Sequence, residues 1–218
     1  MICYDYINEY IREVIPKTEG ILDELEGYAK GQHVPIVHPE VAKLLTVLVK
    51  IKKPKRILEI GTAIGYSSIT MARVLETEGK IDTIEKDRDM VELARYNIER
   101  ANLGDTINVI QGDAKEVLKD IDNLYDMVFI DAAKGQYLEF LRRVVDKLEK
   151  EAIIVSDNVL YKGMVANDKL LVKSKKTLVR RLREYLAYIC SSDMFETSVI
   201  PIGDGVALSH VNFSKKRE

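Results

Sequence analysis

Apolar residues recur at two different periods along this chain, and the change of period divides it. Up to about residue 52 they return every three to four positions, as on helices with one buried side. Tyr4–Ile15 and Glu19–Lys30 read as two weakly amphipathic helices, and Gly31 with the Pro35 and Pro39 pair breaks the pattern. Glu40–Ile51 reads as a third helix that turns Val41, Leu44, Leu45 and Leu48 toward a core, and Pro54 stops it. Beyond it, short runs of β-branched residues alternate with helical stretches. The predicted strands are Arg56–Ile60, Lys80–Glu85, Ile107–Gln111, Tyr125–Asp131 and Ala152–Asp157. The predicted helices between and after them are Ser67–Glu76, Asp87–Asn102, Ala114–Asp120, Tyr137–Lys147 and Ser174–Cys190. Phe195–Pro201 and Val206–His210 close the chain as a hairpin around Gly203-Asp204-Gly205.

Strands that alternate with helices and are apolar throughout predict a parallel sheet covered on both faces. The expected fold class is therefore α/β: a seven-stranded, mostly parallel sheet with helices on both faces and a C-terminal antiparallel hairpin. A length of 218 residues suits one domain over 1–218, with a helical extension or lid at 1–52 and the core at 53–218. There is no internal repeat, low-complexity tract or Gly/Ser linker. In open sheets of this kind ligands bind at the carboxyl ends of the strands.

Composition narrows the class without choosing a chemistry. Hydrophobic residues at 46% and charged residues at 31% are ordinary for a globular protein and exclude long disorder. The longest apolar runs, such as Leu44–Val49, fall far short of the ~20 residues of a membrane helix. The opening MICYDYINEY is acidic where a signal peptide is basic and apolar, which predicts an uncleaved cytoplasmic protein. Cys3 and Cys190 lack CxxC spacing, and His33, His38 and His210 form no HExxH, which disfavours cysteine- or histidine-built metal sites. The net charge is −2, yet Lys162–Arg183 carries eight bases against Asp168 alone. Such asymmetry marks either a face for an anionic partner or, more plainly, a solvated helix.

The strand ends carry the chemistry. After the first strand comes Glu59-Ile60-Gly61-Thr62-Ala63-Ile64-Gly65-Tyr66-Ser67. Gly61 and Gly65 permit a tight turn with close ligand approach. The spacing is G-x-x-x-G, neither the dinucleotide fingerprint nor a P-loop, which disfavours NAD and nucleoside triphosphates. Glu59 can hold a cationic ligand or brace the loop. Glu85 ends the second strand, where an acid accepts hydrogen bonds from ribose hydroxyls. Gly112-Asp113-Ala114 ends the third, where an acid and an amide suit an adenine edge. Together they describe an adenosine without phosphates, for which S-adenosylmethionine is the common ligand. Asp131 ends the fourth strand, and Asp157 with Asn158 ends the fifth. Two carboxylates and an amide oxygen form a hard oxygen set suited to Mg²⁺ or another divalent cation. Lys134, three residues past Asp131, is near enough to act as general base.

ILEIGTAIGYSS, TIEKD, GDA, FIDAAKGQY, SDNVLYKG and PIGDGVALS resemble the cation-dependent O-methyltransferases of the catechol and caffeoyl-CoA type. The resemblance runs from about Gly31 to Ser209 and implies a Rossmann-like methyltransferase fold, S-adenosylmethionine, a divalent cation and a homodimer. It implies that Asp131, Asp157 and Asn158 bind the cation, that Lys134 is the base, and that Asp131 joins it in catalysis. Val37, Gly61, Ser67, Glu85, Asp113, Ala114 and Asp131 would line the cofactor site. HVPIV at 33–37, DNVLYKG and IPIGDGVALS are most similar to a bacterial branch that methylates 5-hydroxyuridine at the tRNA wobble position, giving 5-methoxyuridine. On that reading the partner is the tRNA anticodon region, held through the basic 162–183 stretch. The rival reading is a small phenolic methyl acceptor.

Overall fold

The computed structural model describes residues 2–212. Three helices come first: α1 (Asp5–Val14), α2 (Ile21–Gln32) and α3 (Pro39–Lys52). Strands and helices then alternate as β1 (Arg56–Ile60), α4 (Tyr66–Ala72), β2 (Lys80–Glu85), α5 (Arg88–Arg100), β3 (Ile107–Gln111) and α6 (Ala114–Asp120). The chain continues through β4 (Tyr125–Ile130), α7 (Tyr137–Val144), β5 (Leu148–Ser156), α8 (Lys176–Ser191), β6 (Phe195–Ile200) and β7 (Val206–Val211).

One seven-stranded sheet has the order β3-β2-β1-β4-β5-β7-β6. The first five strands are parallel, and β7 alone runs against its neighbours β5 and β6. Alternate residues of each strand feed opposite cores. Ile57, Met127 and Phe129 pack beneath α2, α3, α4 and α5. Leu58, Val128 and Ile130 pack beneath α6, α7 and α8. The expected α/β class with its antiparallel hairpin is therefore the observed one. No helix among the described residues is long and apolar enough to cross a membrane.

Several boundaries differ from the sequence pattern, each for a local reason. Helix α4 ends at Ala72 rather than Glu76, because the Glu76-Thr77-Glu78-Gly79 run turns directly into β2 through Gly79 N–H donating to the Glu76 carbonyl at 2.8 Å. Strand β5 begins at Leu148, four residues before the apolar run. Its charged Glu149–Glu151 start hides the strand from periodicity, and the register shifts there around Glu151, which has a φ of 61°. In α3, Val41 and Leu45 are buried as expected, but Leu44 and Leu48 are only half-buried and Ala42 and Val49 complete the inner face. The basic segment is not one helix: 162–175 is loop with two short 3₁₀ turns, and α8 starts at Lys176.

Helix α1 buries no residue and is held by charge instead. Arg12 donates to both oxygens of buried Glu40 at 2.9 and 2.8 Å, which ties α1 to the first turn of α3. The opposite end of the sheet from the ligand edge has its own polar anchor. Asp82, 5% exposed in β2, accepts from Arg56 (3.3 Å), Asn108 (2.9 Å), Asn123 (3.3 Å) and the Tyr125 hydroxyl (3.0 Å). Removing a buried carboxylate strands its donors, so Asp82→Ala should lower unfolding free energy by about 2–4 kcal/mol in urea titrations. Cofactor affinity should be unchanged in the same variant, because this anchor lies at the far end of the strands.

Candidate active site

The strand order reverses between β1 and β4, and a crevice opens there at the carboxyl ends. The backbone ladder runs one residue past each strand and so aligns the residues that follow. Gly61 N–H donates to the Ile84 carbonyl, Gly112 N–H to Glu85, Asp131 N–H to Ile60 and Asp157 N–H to Ile130, at 2.8–3.0 Å. A cavity of about 470 Å³ sits on this row. Val37, Gly61, Ser67, Glu85, Asp113, Ala114, Asp131, Lys134 and Asn158 all line it, so the structure brings nearly every residue singled out above to one place. Asp157 lies fully buried, next to the lining residue Asn158.

Acids brace the glycine-turn end of the cavity from below and from the side. Gly61 has a φ of 102°, and a Cβ there would collide with the Asp131 carbonyl, so only glycine lets β1 and β4 end this close together. Glu59 is buried and accepts from the hydroxyls of Ser67, Ser68 and Thr83. It braces the turn from beneath and does not line the cavity, which decides between the two roles open to it from sequence. Glu85 accepts backbone N–H groups from Ala63 (2.9 Å), Lys86 (2.8 Å) and Asp87 (2.9 Å). A carboxylate has about four acceptor positions, so one remains for a ligand hydroxyl. Asp113 caps α6 through Lys115 N–H at 3.0 Å and pairs with Lys86 at 3.3 Å; the capping amide, helped by Lys86, holds its carboxyl below the usual range. Tyr66, absent from the sequence expectations, also lines the cavity and donates its hydroxyl to Glu26 of α2 at 2.6 Å. Only its place inside the G-x-x-x-G-Tyr run hinted at it.

The other end of the cavity is a pair of confined carboxylates. Asp157 Oδ1 accepts the Asn158 N–H at 2.6 Å, while Oδ2 is buried without a hydrogen-bond partner. Burial and the neighbouring Asp131 charge push the Asp157 carboxyl up to about 8. Burial also raises Asp131, against the pull of Lys134, whose Nζ stands 3.6 Å from Asp131 Oδ1. Native structures rarely leave such an oxygen orphaned. Two crowded carboxylates, one with a bare oxygen, beside the Asn158 amide fit a hard divalent cation. Among the described residues no cluster of three His, Cys, Asp or Glu side chains offers a rival metal set.

Of the basic stretch, the arginines are largely engaged internally. Arg183 donates to the carbonyls of Val165 (2.9 Å) and Met164 (3.3 Å) and to Asp168 (2.6 Å). Arg181 reaches the Gly135 carbonyl at 3.3 Å, and Arg180 pairs with Glu184 at 3.6 Å. Lys162, Lys169, Lys173, Lys175 and Lys176 are exposed.

Burial pushes the Glu59 carboxyl up to about 7 from an ordinary 4.5, outweighing its three hydroxyl donors. Between those values the folded chain keeps a proton that the unfolded chain has lost. Stability contributed by this group therefore falls as pH rises from about 4.5 to about 7 and changes no further above that. Urea denaturation across this range should show a decline in the wild type, relative to Glu59→Gln, of up to about 3 kcal/mol. Parallel profiles for the two proteins would contradict the assignment.

A family model described as O-methyltransferase matches residues 16–211. The chain is 32% identical over 205 residues to a caffeoyl-CoA O-methyltransferase of Populus kitakamiensis, covering 91% of this chain and 83% of that one. It is 29% identical to a catechol O-methyltransferase of Niastella koreensis, over 95% and 97% of the two chains. An O-methyltransferase from Bacillus cereus, crystallised in complex with SAH, superposes with a TM-score of 0.85 at 29% identity, covering 97% of this chain and 100% of that one. The matched span contains the glycine turn, Glu85, Asp113 and both carboxylates of the crowded pair. The chain belongs to the O-methyltransferase family.

Proposed function

We propose that this enzyme moves a methyl group from S-adenosylmethionine to a hydroxyl oxygen that has a second oxygen beside it, with a divalent cation between Asp131, Asp157 and Asn158. The observation that carries this reading is the unpartnered Asp157 Oδ2 beside Asp131, at the edge of a cavity that also takes in the glycine turn, Glu85 and Asp113. Glu85 would hold a ribose hydroxyl through its remaining acceptor position, Asp113 and Ala114 the adenine edge, and the Gly61–Ser67 turn the amino-acid portion, with Val37 closing the cavity from the lid. When bound, the cation supplies positive charge that favours the ionised form of the methyl acceptor's hydroxyl. Asp131 lines the cavity and is anchored to β1 by its backbone bond to Ile60 (3.0 Å). Lys134, once its Nζ is neutral and released from the ion pair with Asp131, would take the hydroxyl proton as the new carbon–oxygen bond forms and the sulfur–carbon bond breaks. Alignment of these groups supplies much of the rate.

The methyl acceptor that the named relatives favour is a catechol-like phenol with two adjacent oxygens. A second reading, 5-hydroxyuridine in the tRNA anticodon region, has one observation of its own: the exposed lysines at 162, 169, 173, 175 and 176. Its 5-hydroxyl and C4 carbonyl offer the same pair of oxygens. Methyl transfer from labelled cofactor to catechols and to hydroxyuridine-bearing tRNA, each with and without chelator, tests both. Chelator should abolish transfer and Mg²⁺ should restore it; full activity in excess chelator would refute the cation site. Replacing Lys169, Lys173, Lys175 and Lys176 by Ala leaves the internally bonded arginines alone. If tRNA is the substrate, this variant should lose tRNA methylation, and wild-type binding should weaken steeply with salt, with a log–log slope near −0.7 to −0.9 (roughly) for each phosphate contacted. Unchanged methylation of catechols, with none on tRNA in either protein, establishes the phenolic reading.

Lys134→Ala should lower single-turnover rate by roughly 10²–10⁴ with little change in cofactor affinity. Retention of most of the rate would make Lys134 only the ion-pair partner of Asp131.

A further inference from the structure

The Gly203-Asp204-Gly205 turn between β6 and β7 is the one sequence motif that the site above leaves without a task. It stands against the loop that follows Asp157. That loop takes an unusual course: Asn158, Tyr161 and Lys162 have φ of 55°, 44° and 55°, and Gly163 has 77°. Left-handed non-glycine residues are costly and persist only where surrounding structure over-determines them. Three hydrogen bonds from the turn do so here. Val159 N–H donates to the Gly205 carbonyl (2.9 Å), Leu160 N–H to the Asp204 carbonyl (3.1 Å), and Lys162 N–H to Asp204 Oδ1.

Both glycines are needed for this approach. A Cβ at Gly205 would collide with the Leu160 side chain, and one at Gly203 would stand 2.7 Å from Val41 Cγ2 and 3.4 Å from His38 Cδ2. The turn is thus wedged between the first turn of α3, at the lid, and the loop that carries Asn158. Asp204 is half-buried, and its charge reaches Lys134, His38 and Asp157.

On the reading of the cation site given above, we infer that Asp204 is a positioning residue: its carboxylate, through the Lys162 N–H, holds the 158–162 loop in the left-handed course that presents Asn158 to the cation and walls the methyl-acceptor side. The alternative, that Asp204 acts as a nearby negative charge, predicts a different response to the neutral isostere. An Asn side chain keeps an oxygen for the Lys162 N–H but removes the charge, whereas Ala removes both.

The test compares wild type, Asp204→Asn and Asp204→Ala in three measurements: amide hydrogen exchange over 159–162 in cation-free protein, Mn²⁺ affinity by electron paramagnetic resonance, and kcat and KM for a catechol. For Asp204→Ala, exchange over 159–162 should quicken and Mn²⁺ affinity and kcat/KM should each fall roughly 10–100-fold, as for other residues that orient ligands from behind. SAH affinity should stay within about twofold of wild type. Asp204→Asn should restore slow exchange and most of the Mn²⁺ affinity and turnover. The inference is overturned if Asp204→Ala exchanges like wild type, or if Asp204→Asn is as impaired as Asp204→Ala while exchange is unchanged in both. Because exchange is read without cation, a wild type that binds no Mn²⁺ counts against the cation site alone, and the exchange comparison still decides the role of Asp204.

Discussion

Two carboxylates are confined side by side at the ends of adjacent strands, and much of the site follows from that confinement. Strands β4 and β5 pair through Ile130 and Ser156, so Asp131 and Asp157 leave the sheet as neighbours. The backbone of each is fixed by a bond to the strand beside it. Burial disfavours both charges and each raises the cost of the other. Lys134 offsets part of this, chiefly for Asp131, whose Oδ1 it contacts, and also for Asp157 by its charge. Asp157 keeps a bare oxygen. A buried oxygen left bare calls for a partner, and on the reading proposed above that partner is a small hard cation.

The two halves of the cavity are built differently. At the glycine-turn end, acids act mainly on the protein itself. Glu59 gathers three hydroxyls beneath the turn, Glu85 gathers three backbone amides beside it, and Asp113 caps a helix. These bonds set the turn before any ligand arrives, which is how a site limits the ordering cost of binding. At the Asp131–Lys134 end the chain leaves the strands in loops, with Asn158 opening the left-handed stretch after Asp157.

Much of this was legible in the sequence because parallel strands buried on both faces read as apolar runs with acids at their ends. The strand ends, the glycine turn and the acids beside the cavity follow from that rule, whereas Val37 came from the family resemblance and Tyr66 from neither. What was hidden depends on long-range contacts or on local charge. The start of β5 is masked by Glu149–Glu151, which are exposed although they extend the strand. The role of Glu59 turns on Thr83, 24 residues away, and on two serines of α4. The basic 162–183 stretch reads as a uniform charge run, yet Arg181 and Arg183 bond backbone carbonyls that only the folded chain brings near. Asp204 sits in a hairpin turn, where Asp and Gly are ordinary. Its bond to Lys162 spans 42 residues and leaves no periodic trace.

Anomalous diffraction from crystals grown with Mn²⁺ tests the central claim most directly. The account predicts a single strong peak about 2.1 Å from Asp157 Oδ2, with oxygens of Asp131 and Asn158 completing the protein side of its coordination. A peak elsewhere, or a crystal in which Asp157 Oδ2 bonds only protein atoms or water at saturating Mn²⁺, would contradict it.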